Sequence, residues 1–437
     1  MRPRSAFKRL GAVGLALAIA LGGLVAPRTH AASVTLTIWY PWAGVDGGVI
    51  VNWAKEYSRT HPGVQIKTLL VTGVGISPTS TSSGKFLAAV KAGTPPDAAL
   101  YWSQDALPSL ASVGAVQPLD ALLGAAHIRT SAYSPAAVKA MTFKGKIYGL
   151  PEMTNVRELF WNKDLFKKAG LNPNVPPKTI AQLDQMAQKL TVVSGGTIKQ
   201  IGFVPWDDQG VPIIWAGLWG ASIFDAKGNP TLTNPGLVKL LTWEQSYVKR
   251  YGASNINSFM GSYSSGSAMN DPFIKQAEVM TLGGEWRQTI MQQYGPKIHY
   301  GVAPVPVAPG QPYPMSFLDG NTWFIAKGVS PSHAEEVLKF IQWTQDPKRN
   351  AAAADAVHNI SPIREAQPLQ KLNHDPIFKE ALYLARHAHL YAQPSSPNLI
   401  AVETALASAF QSVQQGKQSP MAALTQAQQT VERQISL

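Results

Sequence analysis

Two glutamates, two adjacent aspartates and a pair of histidines are the groups whose spacing invites a catalytic reading. Glu152 and Glu158 lie on one extended segment, and six residues of strand span about 20 Å. A glycosidase pair holds its carboxyl groups roughly 5 to 9.5 Å apart, so these two do not form one. Asp207 and Asp208 would point to opposite faces of an extended chain. His387 and His389 fall in a helical stretch, where side chains at i and i+2 do not face each other. The 437 residues contain no cysteine, which removes thiolate metal sites. Gly283-Gly284 lacks the spacing of a phosphate loop. The expectation is no metal, no cofactor and no enzymatic activity.

The elements around these groups alternate in type. Val34 to Trp39 alternates apolar residues with Thr and reads as a strand. Residues 49–60 carry apolar residues at helical spacing, and His61-Pro62-Gly63 stops them. A second strand over 64–71, a Gly/Ser/Thr/Pro-rich loop over 72–83, a helix over 85–92 and a buried strand over 97–102 follow. Strand, helix, strand, helix, strand marks an open sheet covered by helices. Further on, Thr179 caps a helix to Leu190. Strands are expected at 201–204, 278–282, 301–307 and 321–326, and helices at 239–251, 333–344, 377–389, 400–415 and on to Gln434. No internal repeat is evident.

The first 32 residues stand outside this pattern. Arg2, Arg4, Lys8 and Arg9 precede an apolar run from Leu10 to Val25, and Ala31 and Ala32 offer a cleavage site. This is the pattern of a secretory signal peptide rather than a membrane anchor. Its five basic residues account for part of the formal charge of +12, leaving +7 on the mature chain. The remaining basic residues are spread out, without the aromatic-interleaved stripe of a nucleic-acid site. An exported chain without cysteine relies on its cores rather than on disulfides. It also lacks the lipid-acceptor Cys of a lipoprotein, so a soluble protein in the periplasm or outside the membrane is expected.

Several segments, in order, resemble the carbohydrate-type extracellular solute-binding proteins, the family of the maltose-binding protein. They are Leu36-Thr37-Ile38-Trp39, then Lys85 to Val90 with Gly93-Thr94-Pro95-Pro96-Asp97, and then Gly114-Ala115-Val116-Gln117-Pro118-Leu119-Asp120. The segment over 143–179 follows, with Ile147-Tyr148-Gly149-Leu150-Pro151, Phe160-Trp161-Asn162 and a short helix stopped at Gly170. Tyr300 to Pro306 completes the series. The resemblance covers nearly the whole mature chain.

It implies an α/β, two-lobed periplasmic-binding-protein fold of type II, a Venus flytrap with hinge strands crossing between lobes. Lobe one is expected over 33–148 plus 301–345 and lobe two over 149–300 plus 346–437. It also implies a receptor of an ABC importer that captures a sugar or oligosaccharide in the cleft and delivers it to permease subunits. The protein is expected to be a monomer. A glycerol-phosphate-type polyol is the alternative ligand, and a secreted polysaccharide-degrading enzyme the alternative class.

A pyranose needs an aromatic wall for its C–H face and paired donors and acceptors for its hydroxyls. On the resemblance, Trp102 is a wall and Asp105 a hydroxyl acceptor, with a core Trp and an N-cap Asp as the alternative. Trp161 falls on the family's stacking tyrosine, with core packing as the alternative. Trp286 matches its stacking Trp after a Gly-containing turn. Trp42, Trp206, Trp215, Asp319, Asn321 and Arg364 are further cleft candidates, and a plain turn is the alternative for Asp319 and Asn321. Asn155, also a ligand-binding candidate, stands where maltose-binding members carry a glutamate, and Glu403 where they carry a Trp, so simple maltose is not the expected ligand.

Overall fold

The computed structural model describes residues 34–72, 81–101, 106–265, 269–392 and 396–435. The expected signal peptide, Trp102 and Asp105 lie outside them. Eight strands form one curled sheet: β1 (Val34–Tyr40), β2 (Val64–Leu70), β3 (Ala98–Tyr101), β4 (Leu150–Asn162), β5 (Met280–Gly284), β6 (Tyr300–Pro304), β7 (Met315–Ile325) and β8 (His389–Ala392). β1 lies between β2 and β3, parallel to both, as βαβ connections require. β7 runs antiparallel to β3 and β4.

β4 shapes the molecule. All 13 of its residues are buried, and at the usual rise they span roughly 40 Å. Its first half, to Val156, pairs with β7. From Arg157 onward it is flanked instead by β5 and β6. β7 makes the reciprocal change, pairing with β8 at residues 315–318 and with β3 at residues 322–325. Two continuous strands therefore cross a waist near Val156 and Leu318. The sequence pattern divides the 143–179 segment into two strands; the structure shows one, because its hydrophobic residues are buried on both faces and carry no alternation.

Each side of the waist has its own core. On one side Leu36, Ile38, Tyr57, Leu100, Leu150, Trp323 and Phe340 pack together, joined by Ala351, Ala354 and Ile363. On the other, Leu159, Phe203, Trp243 and Leu282 pack with Val305, Phe317, Leu406, Phe410 and Leu424. The buried residues group differently from the expected division at 301 and 346. Residues 303–317 belong with the second core because β6 pairs with the far half of β4. Residues 351–366 belong with the first, because the helix Pro347–Val357 and the turn after it pack there.

The expected helices end within two residues of the indicated positions, while Gly44–Thr60, Thr81–Lys91 and Pro235–Tyr251 begin four or five residues earlier. Thr179 caps Ile180–Leu190, its hydroxyl accepting from the Gln182 N–H. Asn162 caps Lys163–Lys168 in the same way, accepting from Asp164 and Leu165. The expected strand at 201–204 is reduced to a single bridge between Ile201 and Glu278.

Candidate functional site

The waist carries an unusual density of buried polar side chains. Arg157 on β4 and Asp319 on β7 are both buried, and the guanidinium grips the carboxylate bidentately at 3.1 and 2.6 Å. Burial pushes the Asp319 carboxyl up and Arg157 opposes that shift. Asp319 and Asn321 lie inside β7 rather than in a turn. One residue before Arg157 in the backbone, the Val156 N–H donates to Glu285 (3.1 Å), and Asn155 donates to the other Glu285 oxygen at 2.7 Å. Burial pushes Glu285 up to about 8, against these hydrogen bonds and nearby Arg157. Asn155 is itself 2% exposed. Its amide holds Glu285, the residue that follows β5.

That turn presents Trp286, which is partly exposed and opens the helix Arg287–Tyr294. The ring lies so close over Gly284 that a Cβ there would come within 1.8 Å of it. The Arg157 guanidinium sits 4.8 Å from the ring centroid. The next residue, Arg287, is buried and paired with Asp208 at 2.5 Å and Asp271 at 2.8 Å. Asp208 joins this network to the loop that carries Trp206, itself partly buried against the second core. Asp207 in that loop accepts from the Ser265 hydroxyl.

A second group lies on the other side of the waist. Trp42, Asp46, Glu152 and Asn321 line a small cavity with Val49, Ile50, Met153 and Val357. Asn321 donates to Glu152 at 3.0 Å, and its carbonyl oxygen has no partner among the described residues. Burial pushes Glu152 up to about 8, the Asn321 hydrogen bond opposing it and Asp46 adding to it. Trp42 is partly buried there, against the first core.

Three expected site residues are elsewhere. Trp161 is 4% exposed, its indole N–H donates to the Pro173 carbonyl at 3.0 Å, and Gly301 packs flat against its ring. Trp215 is fully buried, its N–H on the Pro205 carbonyl and its ring 4.9 Å edge-on from Trp243. Both belong to the second core, where apolar area and a satisfied N–H account for them. Arg364 is exposed and donates from Nε to the Tyr133 carbonyl.

Arg157, Glu285 and Arg287 escaped the sequence reading. A signal was present for Arg157: a cation in a strand flanked by Val156 and the apolar run Leu159-Phe160-Trp161 requires a partner if the strand is buried. Glu158 is fully buried and pushed well up, by burial first and then by Glu285 and Glu380.

A family model described as bacterial extracellular solute-binding protein matches residues 52–380. Among solved structures, a protein designated CpMnBP1, with mannobiose bound, is 53% identical at a TM-score of 0.87, covering 91% of this chain and 100% of that one. The same protein is also solved with mannotriose bound. A maltose/maltodextrin-binding domain from Bdellovibrio bacteriovorus matches at 20% identity and a TM-score of 0.75, over 92% of this chain and 100% of that one. Among curated proteins, a maltotriose-binding protein of Pyrococcus abyssi is 23% identical over 84% of this chain and 74% of its own length. The maltodextrin-binding protein MdxE of Bacillus subtilis is 23% identical over 48% of this chain, and the match spans about half of its length, 49%. The crossing strands, the paired cores and the neighbours of this shape establish the two-lobed flytrap fold. With three quarters of its length matched by one family model, the chain belongs to the bacterial extracellular solute-binding proteins.

Proposed function

We propose that this protein is the extracytoplasmic receptor of an ABC importer and that its ligand is a short mannose oligosaccharide. The observation that carries the reading is the 53% identity, over 91% of the chain, to a protein solved with mannobiose and mannotriose bound. The site chemistry is consistent with it. Trp286 offers a rigid, partly exposed indole at the waist, and aromatic faces of this kind stack on the C–H face of a pyranose. A ligand touching both lobes favours the closed state by its differential affinity for that state. The closed form then docks on permease subunits, with the receptor acting as an exported monomer. It binds its sugar without cleaving it.

The polyol-phosphate alternative is weakened by one feature. Arg157 and Arg287, the arginines beside Trp286, are committed to Asp319, Asp208 and Asp271. Neither has charge to spare for a phosphate. Calorimetry with mannobiose, mannotriose, maltose and glycerol phosphate tests the reading. Saturable heat with the mannose oligosaccharides supports it; heat with maltose or glycerol phosphate alone overturns the ligand assignment.

A further inference from the structure

We propose that Arg157 and Asp319 are positioning residues for the sugar platform: their pair fixes the plane of Trp286 and ties it to the two strands that cross the waist. The inference rests on the reading of Trp286 as the platform.

Stability alone does not account for a buried ion pair. Replacing such a pair by apolar residues of similar volume is often neutral or stabilising. Its presence in the waist therefore calls for a geometric reason as well as an energetic one. The guanidinium is planar and rigid, and it can grip a carboxylate along one edge while stacking on an aromatic ring with its face. Arg157 does both. Its two terminal nitrogens hold Asp319, and its central carbon sits 4.8 Å from the Trp286 centroid and 5.7 Å from that of Phe317. Its Nε–H is buried with no partner among the described residues. An unpaired buried donor is costly. The group keeps that orientation because the carboxylate and the rings set its plane.

The position matters as much as the contact. Arg157 is the residue at which β4 stops pairing with β7 and starts pairing with β5, opposite Gly284. Asp319 follows Leu318, the last β7 residue paired with β8. The ion pair thus bolts the two crossing strands together where both change neighbours. The indole rests against the guanidinium and over Gly284, so any change in the register or twist of the crossing strands is passed to the ring. A sugar stacked on Trp286 would feel the waist through this pair, without touching either residue.

A double-mutant cycle tests this. The pair is replaced by apolar residues (Arg157→Met with Asp319→Leu), alone and combined with Trp286→Ala, and mannobiose affinity is measured for all four proteins. Acting through the indole, the replacement weakens binding about tenfold in the Trp286 background and less than about twofold with Ala there, since residues acting through one another are not additive. Equal losses in both backgrounds, or no loss in the first, overturn the proposal. If the double replacement fails to fold, Arg157→Lys keeps the charge and loses the planar stack; unchanged affinity in that variant is equally fatal. Acrylamide quenching of the Trp286 emission, taken as the difference from Trp286→Ala, gives a readout independent of sugar. It should rise when the pair or the planar stack is removed, and unchanged quenching overturns the proposal. Should the native protein bind no mannose oligosaccharide, the functional reading fails while quenching still decides the positioning role.

Discussion

Replacing Trp161 separates the two roles a tryptophan can have in this fold. The side chain is 4% exposed and lies among Leu159, Phe166 and Ile180 in the second core. A Trp→Ala change in such a setting costs about 3–5 kcal/mol. The lost hydrogen bond to the Pro173 carbonyl, 3.0 Å long, adds about 1 kcal/mol. Trp161→Phe keeps most of the packing and loses the N–H, so about 1–2 kcal/mol is expected from it. Urea unfolding followed by circular dichroism measures both, and the midpoint should move without a change in slope. Calorimetry with mannobiose under native conditions should give an affinity within about twofold of the parent for Trp161→Phe, since distant sites do not couple. A Trp161→Phe protein of parental stability that binds sugar tenfold more weakly would refute the argument and return Trp161 to the cleft.

The remaining predictions follow from the same contacts. Trp286→Ala should weaken mannobiose binding by at least about tenfold, as removal of a central aromatic anchor does, while shifting the unfolding midpoint little, because the ring is partly exposed. Glu244 is fully buried, accepts from Gln414 at 2.8 Å and is pushed by burial up to about 8. The folded state therefore binds a proton that the unfolded chain releases near 4.5, so the contribution of this carboxyl to stability is full below 4.5 and is lost as pH rises towards 8. Glu244→Gln should flatten that loss in melting scans from pH 5 to 9; an unchanged slope would show that the carboxyl is ionised in the fold. His358 bridges the lobes, with Nδ1 3.0 Å from the Thr289 hydroxyl and Nε2 3.0 Å from the Gln292 amide. Burial lowers its pKa below 6.5, against the pull of Asp375 and Asp355. The unfolded chain then binds the extra proton, and stability falls as pH drops below 6.5. Melting at pH 5 relative to pH 7.5 should be less depressed in His358→Asn, a residue that tolerates the left-handed backbone (φ 53) found there; an equal depression would contradict the assignment.

The architecture was largely legible because alternating strands and capped helices are local. Thr179, the Gly170 stop and the terminal helices needed only neighbouring residues to be seen. The course of β4 was not local. Whether its second half pairs with β7 or with β5 and β6 depends on residues more than a hundred positions away, and so does the true division of the chain into cores. The site suffered in the same way. Trp286 stands out in the sequence by the Gly283-Gly284 pair before it, which forms the end of β5. Trp161 and Trp215 were not separable from it by type, since all three are tryptophans near strand ends, and only packing shows which rings are enclosed. The resemblance makes Asn155 a cleft candidate, and its partner Glu285 lies 130 residues further along the chain, beyond the reach of a local pattern.

The most direct test of the functional reading is isothermal titration of the mature protein with mannobiose, combined with small-angle scattering at saturation. The account predicts one site per chain, heat with mannobiose and mannotriose, and a smaller radius of gyration in the bound state as the lobes close. No heat with either mannose oligosaccharide, alongside saturable heat from a different solute, would contradict it.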